Sequence, residues 1–157
     1  MTWGLGAGLR CHATNSMTGE RLEFCDTNIL VYAHDVTAGA KRSTAVALLD
    51  DLCLDDRCRL SPQVLSEFYV NVTRKLPHRL EPAEAFAIVI DLAACVRVPT
   101  MAEDVVAAIE LARTRQLSLW DALIIRSALR ARAAVLWSED LQDRARYDEL
   151  EVRNPFV

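Results

Sequence analysis

The sequence predicts one α/β domain of three layers, with helices on both faces of a central parallel sheet of four to five strands. Two observations support this prediction. Short apolar runs alternate along the chain with longer amphipathic stretches, as expected for parallel strands joined by helical crossovers. The 157 residues, 52% apolar and 25% charged, are enough for one domain with a substantial core. We see no internal repeat, low-complexity tract or second domain.

The predicted strands are short apolar runs that lie between the amphipathic stretches. They cover residues 22–25, 57–60, 95–98 and 133–137, with 150–153 as a last, edge strand. Because helical stretches separate them, their pairing is expected to be parallel.

The predicted helices have apolar residues at helical spacing. They cover residues 29–32, 38–54, 62–76, 82–92, 101–115 and 119–132. The third begins at Ser61 and Pro62, where the serine can accept a hydrogen bond from an unpaired amide and the proline lacks that amide. It ends before Pro77, and Ser118 is the predicted cap of the last helix.

The folded domain is placed at residues 22–157 because the apolar pattern begins there. Residues 1–21 are expected to be a flexible or extraneous tail. Gly4, Gly6 and Gly8 superficially suggest a phosphate-binding loop, but no strand precedes them and no Gly-Lys-Ser/Thr follows. No nucleotide site is therefore predicted in this segment.

Composition excludes several classes of protein. No apolar run approaches the roughly 20 residues needed to cross a bilayer, and the start lacks the apolar stretch of a secretory signal, so we expect a cytoplasmic protein. The five cysteines contain no C-x-x-C pair. They are therefore predicted to be reduced thiols, and a zinc site at Cys53 and Cys58 is disfavoured by its spacing.

The net charge of −4 argues only weakly against a nucleic-acid partner. The chain has 18 Lys and Arg against 22 Asp and Glu, so four acids gathered at a metal site would leave the remaining surface balanced. Each basic group along the sequence is either a phosphate contact or a solvated helix face. These groups are Lys41 with Arg42, Arg74 with Lys75, Arg113 with Arg115, and the series Arg126, Arg130 and Arg132.

Four acidic residues stand at the ends of predicted strands or at the starts of the helices that follow: Asp26, Glu67, Asp121 and Asp140. The carboxyl ends of parallel strands meet at one edge of a sheet, so these side chains are expected to converge there around a cation. Each has an ordinary alternative. Asp26, Asp121 and Asp140 could serve as helix-cap or first-turn acids, and Glu67 could be a solvated residue. Separate caps do not explain the repeated placement of an acid at these edges.

The motifs around these acids closely resemble those of PIN-domain ribonucleases of the VapC toxin type. They are Phe24-Cys25-Asp26-Thr27-Asn28-Ile29-Leu30-Val31-Tyr32-Ala33, Leu65-Ser66-Glu67-Phe68, Trp120-Asp121-Ala122-Leu123-Ile124, Trp137-Ser138-Glu139-Asp140-Leu141-Gln142 and the closing Asn154-Pro155-Phe156. The match runs from about residue 22 to the C-terminus, and the order and spacing of the motifs make it specific.

The resemblance implies a compact PIN-like α/β/α domain with Mg²⁺- or Mn²⁺-dependent endoribonuclease activity. It further implies a toxin that cuts RNA, forms a homodimer and is held inactive by a cognate antitoxin. The positions that match the family's catalytic residues are Asp26, Glu67, Asp121 and Asp140, of which Asp26, Asp121 and Asp140 match metal ligands. Asn28 and Ser138 match its supporting polar positions.

One segment departs from the family pattern. Relatives often have a glycine shortly after Gln142, whereas this chain has Asp143, Arg144 and Ala145, so we expect this segment to run as helix. Asp143 is a candidate outer ligand, and the sequence leaves open whether Asp140 or Asp143 lies nearer the metal.

Three other functions are weighed against the toxin. A phosphatase of the haloacid-dehalogenase type would need Asp-x-Asp after the first strand, and the second position here is Asn28. A non-catalytic PIN-like binding module would be expected to have lost site acids, and all four are present. A housekeeping PIN nuclease remains the third alternative. Trp120 is a candidate for stacking on a base, although a core position is the expected one.

Overall fold

The computed structural model describes residues 21–157, and all but Arg21 of the predicted tail therefore lies outside the described residues. The described part contains five strands and six helices. The strands are β1 (Glu23–Cys25), β2 (Cys58–Arg59), β3 (Val135–Trp137), β4 (Arg146–Tyr147) and β5 (Leu150–Arg153). The helices are α1 (Thr27–His34), α2 (Ala40–Leu54), α3 (Pro62–Arg74), α4 (Pro82–Ala93), α5 (Ala102–Arg115) and α6 (Leu119–Arg130).

The strands form one sheet in the order β2-β1-β3-β5-β4. β1 lies between β2 and β3 and is parallel to both, and β3 is parallel to β5. Only β4 runs antiparallel, as the partner of β5 at the edge of the sheet. The predicted α/β fold class with a central parallel sheet of four to five strands is therefore confirmed, with β4 as the antiparallel exception.

Both faces of the central strands are covered. Successive strand residues point to opposite faces of a sheet. Phe24 and Cys25 of β1 are both fully buried, and so are Val135 and Leu136 of β3, with exposures of 3% or less. Burial on both faces is typical of a parallel sheet packed between two layers of helices. α1 packs against α2 and α3, α3 packs against α4, and α5 packs against α6.

The predicted helix starts are confirmed at two serines. The Ser61 hydroxyl accepts from the Val64 amide at the start of α3, with Pro62 in the first turn. The Ser118 hydroxyl accepts from the Asp121 amide at the start of α6 at 3.0 Å. Each hydroxyl satisfies an amide that the helix itself leaves without a partner.

The prediction of a strand at residues 95–98 is wrong. This segment forms turns after α4, although Cys95 is fully buried and its carbonyl accepts from the Leu60 amide at 3.2 Å. The apolar pattern reflects burial at the end of a helix. A strand would also need a continuous ladder of hydrogen bonds, and the local sequence does not report such pairing.

Two predictions near the C-terminus also need correction. β5 is not the edge strand, because β4 lies outside it. The helix expected after Gln142 is absent, and the chain instead turns into β4. Arg144 adopts the left-handed conformation (φ 63°) and its amide donates to the Val152 carbonyl at 2.9 Å. Pairing with β5 thus replaces helical hydrogen bonds in this segment.

None of the described helices is both long enough and apolar enough to span a membrane.

Candidate active site

A crevice of about 300 Å³ opens beyond the carboxyl ends of the central strands, and all four predicted acids line it. Asp26 follows β1, Asp140 lies three residues after β3, Glu67 projects from α3 and Asp121 from α6. The other lining residues are Thr27, Asn28, Val31, Tyr32, Gln63, Asn71, Trp120 and Ile124. The fold therefore brings acids that are up to 114 positions apart in the sequence to one place.

Asp26 is the most buried of these acids, with 7% of its surface exposed. Its carboxylate accepts from the Thr27 amide at 2.6 Å, so the residue also caps α1, and from the Ser138 hydroxyl at 2.7 Å. Burial raises the pKa of Asp26 to about 6, the two hydrogen bonds lower it in part, and repulsion from Asp140 and Glu67 adds to the rise. The cap and the site therefore share one side chain.

Asn28 joins Asp26 to Asp140. Its Nδ2 donates to Asp26 Oδ2 at 3.3 Å and to Asp140 Oδ2 at 3.1 Å, while its Oδ1 accepts from the Glu139 amide at 3.4 Å. Fully buried Ser138 accepts from the Asp140 amide at 3.2 Å. These two neutral side chains orient the carboxylates that the loops after β1 and β3 contribute.

Glu67 is held at the crevice by neutral donors. Thr27 Oγ1 donates to its Oε2 at 2.8 Å, and Gln63 Nε2 donates to its Oε1 at 2.8 Å. Gln63 also donates to the Trp120 carbonyl at 3.3 Å. Phe68, on the other face of α3, is fully buried, which confirms the helix faces expected from the sequence. Neither Thr27 nor Gln63 was predicted as a site residue, although Gln63 stands four residues before Glu67 on the same face.

Asp121 lies in the first turn of α6, half-buried at the wall of the crevice. The Trp120 side chain is 64% exposed, so the expectation that this tryptophan belongs to the core is wrong. Trp120 lies in the first turn of α6 and lines the crevice. The local sequence, with Leu119 and Trp120 both apolar, does not reveal this exposure.

Asp143 lies outside the residues that line the crevice. Its Oδ1 accepts from the Asn154 amide at 2.9 Å, and its Oδ2 lies 3.6 Å from Arg144 Nε. Asp140, in contrast, contacts Asn28 within the crevice. Of the two acids, Asp140 is therefore the one placed to face a ligand there.

The four carboxylates of the crevice make no ion pair with any described Lys, Arg or His. No lysine or arginine lines the crevice either. Carboxylate oxygens at an open edge are the donor set that Mg²⁺ prefers. The pKa of Asp26 is raised mainly by burial, and repulsion from Asp140 and Glu67 adds to the rise. The residues present therefore fit a hard divalent cation.

The crevice carboxylates are spaced more widely than the ligand atoms of the tightest candidate metal cluster in the described residues. Within residues 21–157, one group of three candidate ligand side chains has all its ligand atoms within 4.8 Å of one another, and it consists of Cys53, Cys58 and Cys95. These sulfur atoms are buried in the core, away from the crevice. No three of the crevice carboxylates have ligand atoms that all lie within this distance of one another.

A second cluster flanks the crevice and was not predicted. Glu139 accepts from the Tyr32 hydroxyl at 2.5 Å and pairs with Lys41, whose Nζ also lies 4.8 Å from the centre of the Tyr32 ring. Phe156 packs edge-on against Tyr32 at 5.1 Å. Burial opposes ionisation of Glu139, but the hydrogen bonds from Lys41 and Tyr32 outweigh it and lower its pKa. We call Tyr32, Lys41, Glu139 and Phe156 the tyrosine clamp.

The fold and this crevice define a class: a doubly covered α/β domain with a carboxylate site beyond the ends of its parallel strands. A family model of the PIN domain matches residues 24–149, and the chain therefore belongs to the PIN-domain family. The family resemblance read from the sequence motifs is confirmed at this level. A search of curated proteins finds no match.

Solved structures with the same fold include toxin systems. A chain of VapBC2 from Rickettsia felis, bound to a DNA fragment from their promoter, is 19% identical with a TM-score of 0.58, covering 85% of this chain and 98% of that one. A chain of FitAB bound to the IR36 DNA fragment is 18% identical with a TM-score of 0.62, covering 87% and 96%. VapC20 from Mycobacterium tuberculosis, a Sarcin-Ricin loop cleaving toxin, is 22% identical with a TM-score of 0.54, covering 73% and 86%.

Proposed function

We propose that this protein is a metal-dependent endoribonuclease toxin of the VapC type, which hydrolyses RNA phosphodiester bonds and is neutralised by a cognate antitoxin. The observation that carries the proposal is the convergence of Asp26, Glu67, Asp121 and Asp140 on one open crevice without a cationic partner. Membership of the PIN family and the likeness in fold to VapBC2, FitAB and VapC20 support it.

In this proposal Asp26, Asp121 and Asp140 hold Mg²⁺ or Mn²⁺, and Glu67 completes the catalytic set. The bound cation would lower the pKa of a water and neutralise charge on the phosphodiester in an in-line displacement. Asn28 and Ser138 keep Asp26 and Asp140 in a fixed orientation through hydrogen bonds. Hydrogen bonds to the ligands of a metal site commonly orient those ligands and tune the metal.

Two further side chains of the crevice would position the catalytic glutamate. Thr27 and Gln63 fix both oxygens of Glu67, so this carboxylate cannot rotate freely. Water, and not the ribose 2′-hydroxyl, is the expected nucleophile, so the product ends should be a 5′-phosphate and a 3′-hydroxyl. Asp143 is left out of this catalytic set because its carboxylate contacts Asn154.

The test is sequencing of the ends that the purified chain produces in total RNA, with Mg²⁺, with Mn²⁺ and with EDTA. We expect new 5′-phosphate ends that require the metal and that disappear in Asp121→Asn. The matched control is Asp91→Asn, which removes an exposed carboxylate on α4. If the wild-type chain produces no metal-dependent ends with either ion, the nuclease assignment is wrong.

The antitoxin proposal has a physical motive in the charge of the crevice. A partner segment that carries an arginine could pair with these carboxylates bidentately and exclude the cation, so inhibition should weaken as Mg²⁺ rises. The test is to co-purify the chain with the small protein encoded beside it and to titrate Mg²⁺ against the complex. If the chain cleaves RNA but binds no neighbouring protein and causes no toxicity, a housekeeping PIN nuclease replaces the toxin.

We also propose a homodimer. Exposed apolar side chains on α4 and α5 provide surface that a second copy would cover, namely Phe86, Ile90, Val106 and Ile109, each between 45% and 67% exposed. Light scattering should give twice the 17.5 kDa chain mass. The variant Phe86→Glu with Val106→Glu should be monomeric, and an unchanged mass would place the interface elsewhere.

A further inference from the structure

The negative charge of the crevice opposes the binding of RNA. RNA is a polyanion, and its affinity for proteins comes largely from lysine and arginine contacts to phosphates. The crevice contributes four carboxylates and no lysine or arginine. The nearby Lys41 is already paired with Glu139. A cation bound in the crevice would neutralise only part of this charge, so a substrate strand needs cationic contacts outside it.

One face of α3 leads from the crevice to such contacts. Gln63, Glu67 and Asn71 line the crevice and are spaced four residues apart along the helix. Arg74 is the last residue of α3 and continues the same face, three residues after Asn71. Lys75 follows as the C-cap. From Glu67 to Lys75 the helix advances about 12 Å, a distance that a few nucleotides of an extended strand span.

The turn after α3 adds a third cation to this end of the helix. The amides of Lys75 and Leu76 both donate to the Asn71 carbonyl, and the Leu80 amide donates to the Val72 carbonyl at 2.9 Å. The chain therefore folds back against the last turn of α3 and keeps Arg79 beside it. We call Arg74, Lys75 and Arg79 the α3 basic end.

The side chains of the α3 basic end are all exposed. None of them makes an ion pair with another described residue, whereas Arg57, Arg97 and Arg130 each lie close to a carboxylate. Their charges are therefore available to an external anion. Cations at a helix C-terminus are also favoured by the helix dipole, and the experiment must separate that structural role from binding.

We propose that the α3 basic end binds backbone phosphates of the RNA strand beside the bond that is cleaved. This inference rests on the proposed nuclease function and adds the path of the substrate, which leaves the crevice along the polar face of α3. The interaction is electrostatic and independent of base identity, because the three side chains are long, exposed cations.

The experiment compares two double variants. The α3 variant carries Arg74→Gln and Lys75→Gln, and the control variant carries Arg21→Gln and Arg132→Gln. The control removes two exposed cations near the amino ends of β1 and β3, at the opposite edge of the sheet from the crevice. Binding of a fluorescent single-stranded RNA of about 16 nucleotides is measured in EDTA, between about 50 and 200 mM KCl. Melting temperatures are measured for all variants.

We expect the α3 variant to bind this RNA roughly 10-fold more weakly at low salt, with the slope of log affinity against log salt reduced by about 1.4, the value for two lost phosphate contacts. In cleavage assays its KM should rise while kcat stays the same, since a contact of this kind is made equally before and during the reaction. Hydrolysis of a p-nitrophenyl nucleotide diester, too short to reach Arg74, should not change. The control variant should match the wild type throughout.

Equal RNA affinity and salt slope in the α3 and control variants would overturn the inference, whatever happens to the melting temperature. An α3 variant that binds RNA normally but loses a protein partner would also overturn it and would assign the surface to that partner. Failure of the proposed function gives a different result, because the wild type would then cleave neither RNA nor the diester.

Discussion

Glu139 and Asp140 are neighbours in the chain, yet they lie in opposite electrostatic surroundings. Glu139 belongs to the tyrosine clamp, where it pairs with Lys41 and accepts from Tyr32, and its pKa is lowered. The Asp140 carboxylate accepts a hydrogen bond from the neutral Asn28 side chain, and the Asp140 amide donates to the Ser138 hydroxyl.

The clamp and the crevice differ as a whole in how their carboxylates are compensated. In the clamp the Lys41 ammonium and the Tyr32 hydroxyl compensate the Glu139 carboxylate, so this charge already has partners within the protein. In the crevice the carboxylates of Asp26, Glu67 and Asp140 accept only from neutral donors, and burial raises the pKa of Asp26 to about 6. Uncompensated negative charge is unfavourable in the free protein, and a ligand that neutralises it gains binding energy from the relief. The crevice therefore fits the cation that we propose for it, whereas the charge of the clamp is already paired.

The largest expected effect tests the crevice side of this comparison. Asp121→Asn removes one carboxylate from the proposed metal site without removing a known packing contact. We expect RNA cleavage to fall about a thousandfold, because a bound metal supplies several kcal/mol of transition-state stabilisation. Circular dichroism should show an unchanged fold. Cleavage at the wild-type rate in this variant would mean that Asp121 is only a first-turn residue.

The second prediction concerns stability in EDTA. A carboxyl whose pKa is higher in the folded than in the unfolded state binds its proton more tightly when folded, so stability falls as pH rises from about 4 to about 6 and the penalty persists above that range. Asp26→Asn should therefore raise the free energy of unfolding at about pH 7.5, by at most about 3 kcal/mol. The gain should vanish below about pH 4.

Denaturant titrations at both pH values measure this difference. Glu139→Gln is the opposite case, because the lowered pKa of Glu139 means that its contribution to stability is present near neutral pH and is lost as pH falls through the folded pKa. Removing its charge should lower stability near neutral pH. A stabilised Glu139→Gln variant or a destabilised Asp26→Asn variant would reverse the comparison.

The third prediction tests whether the clamp supports the crevice. Glu139 stands between Ser138 and Asp140, and its amide donates to Asn28. Glu139→Gln should free this loop, raise the Mg²⁺ concentration needed for half-maximal cleavage and reduce the rate by about 10-fold, as is typical for residues that orient metal ligands. Glu149→Gln in the β4–β5 turn is the matched control. A normal metal requirement in Glu139→Gln would limit the clamp to a packing role.

The smallest expected effect concerns the rim of the crevice. Trp120 is 64% exposed, so Trp120→Ala should leave the melting temperature unchanged while weakening binding of single-stranded RNA about 10-fold, the value of one base stacked on an aromatic ring. Leu54→Ala at the end of α2, where the side chain is 86% exposed, is the control. A clear drop in the melting temperature of the Trp120 variant would show that its ring stabilises the fold instead.

Much of the fold was predictable from local patterns. The Ser61 and Ser118 caps were identified correctly because capping depends on residues within one helical turn, which the sequence displays directly. The strands β1, β3 and β5 were found because their apolar runs lie between strong helical stretches. The four acids were singled out because each stands at a strand end or helix start, and their order matches the PIN family.

The incorrect predictions all concern residues whose surroundings are set by distant parts of the chain. Cys95 is buried without belonging to a strand, Trp120 is apolar without being buried, and the segment after Gln142 pairs with β5 instead of forming a helix. In each case the outcome depends on which distant element lies alongside. Hydrophobicity reports the tendency to leave water and does not identify the partner that covers a side chain or pairs with its backbone.

The sequence by itself determined the fold class, the family and the set of candidate acids, since these depend on spacing and on residue chemistry. Only the tertiary structure decided what surrounds each acid. The contact of Asn28 with Asp140 and the tyrosine clamp join loops that are far apart in the chain, and Asp143 turns to Asn154 across the β4–β5 hairpin. Whether a carboxylate is paired or left for a ligand is set by neighbours brought close by the sheet, and that arrangement arises only when the strands have packed.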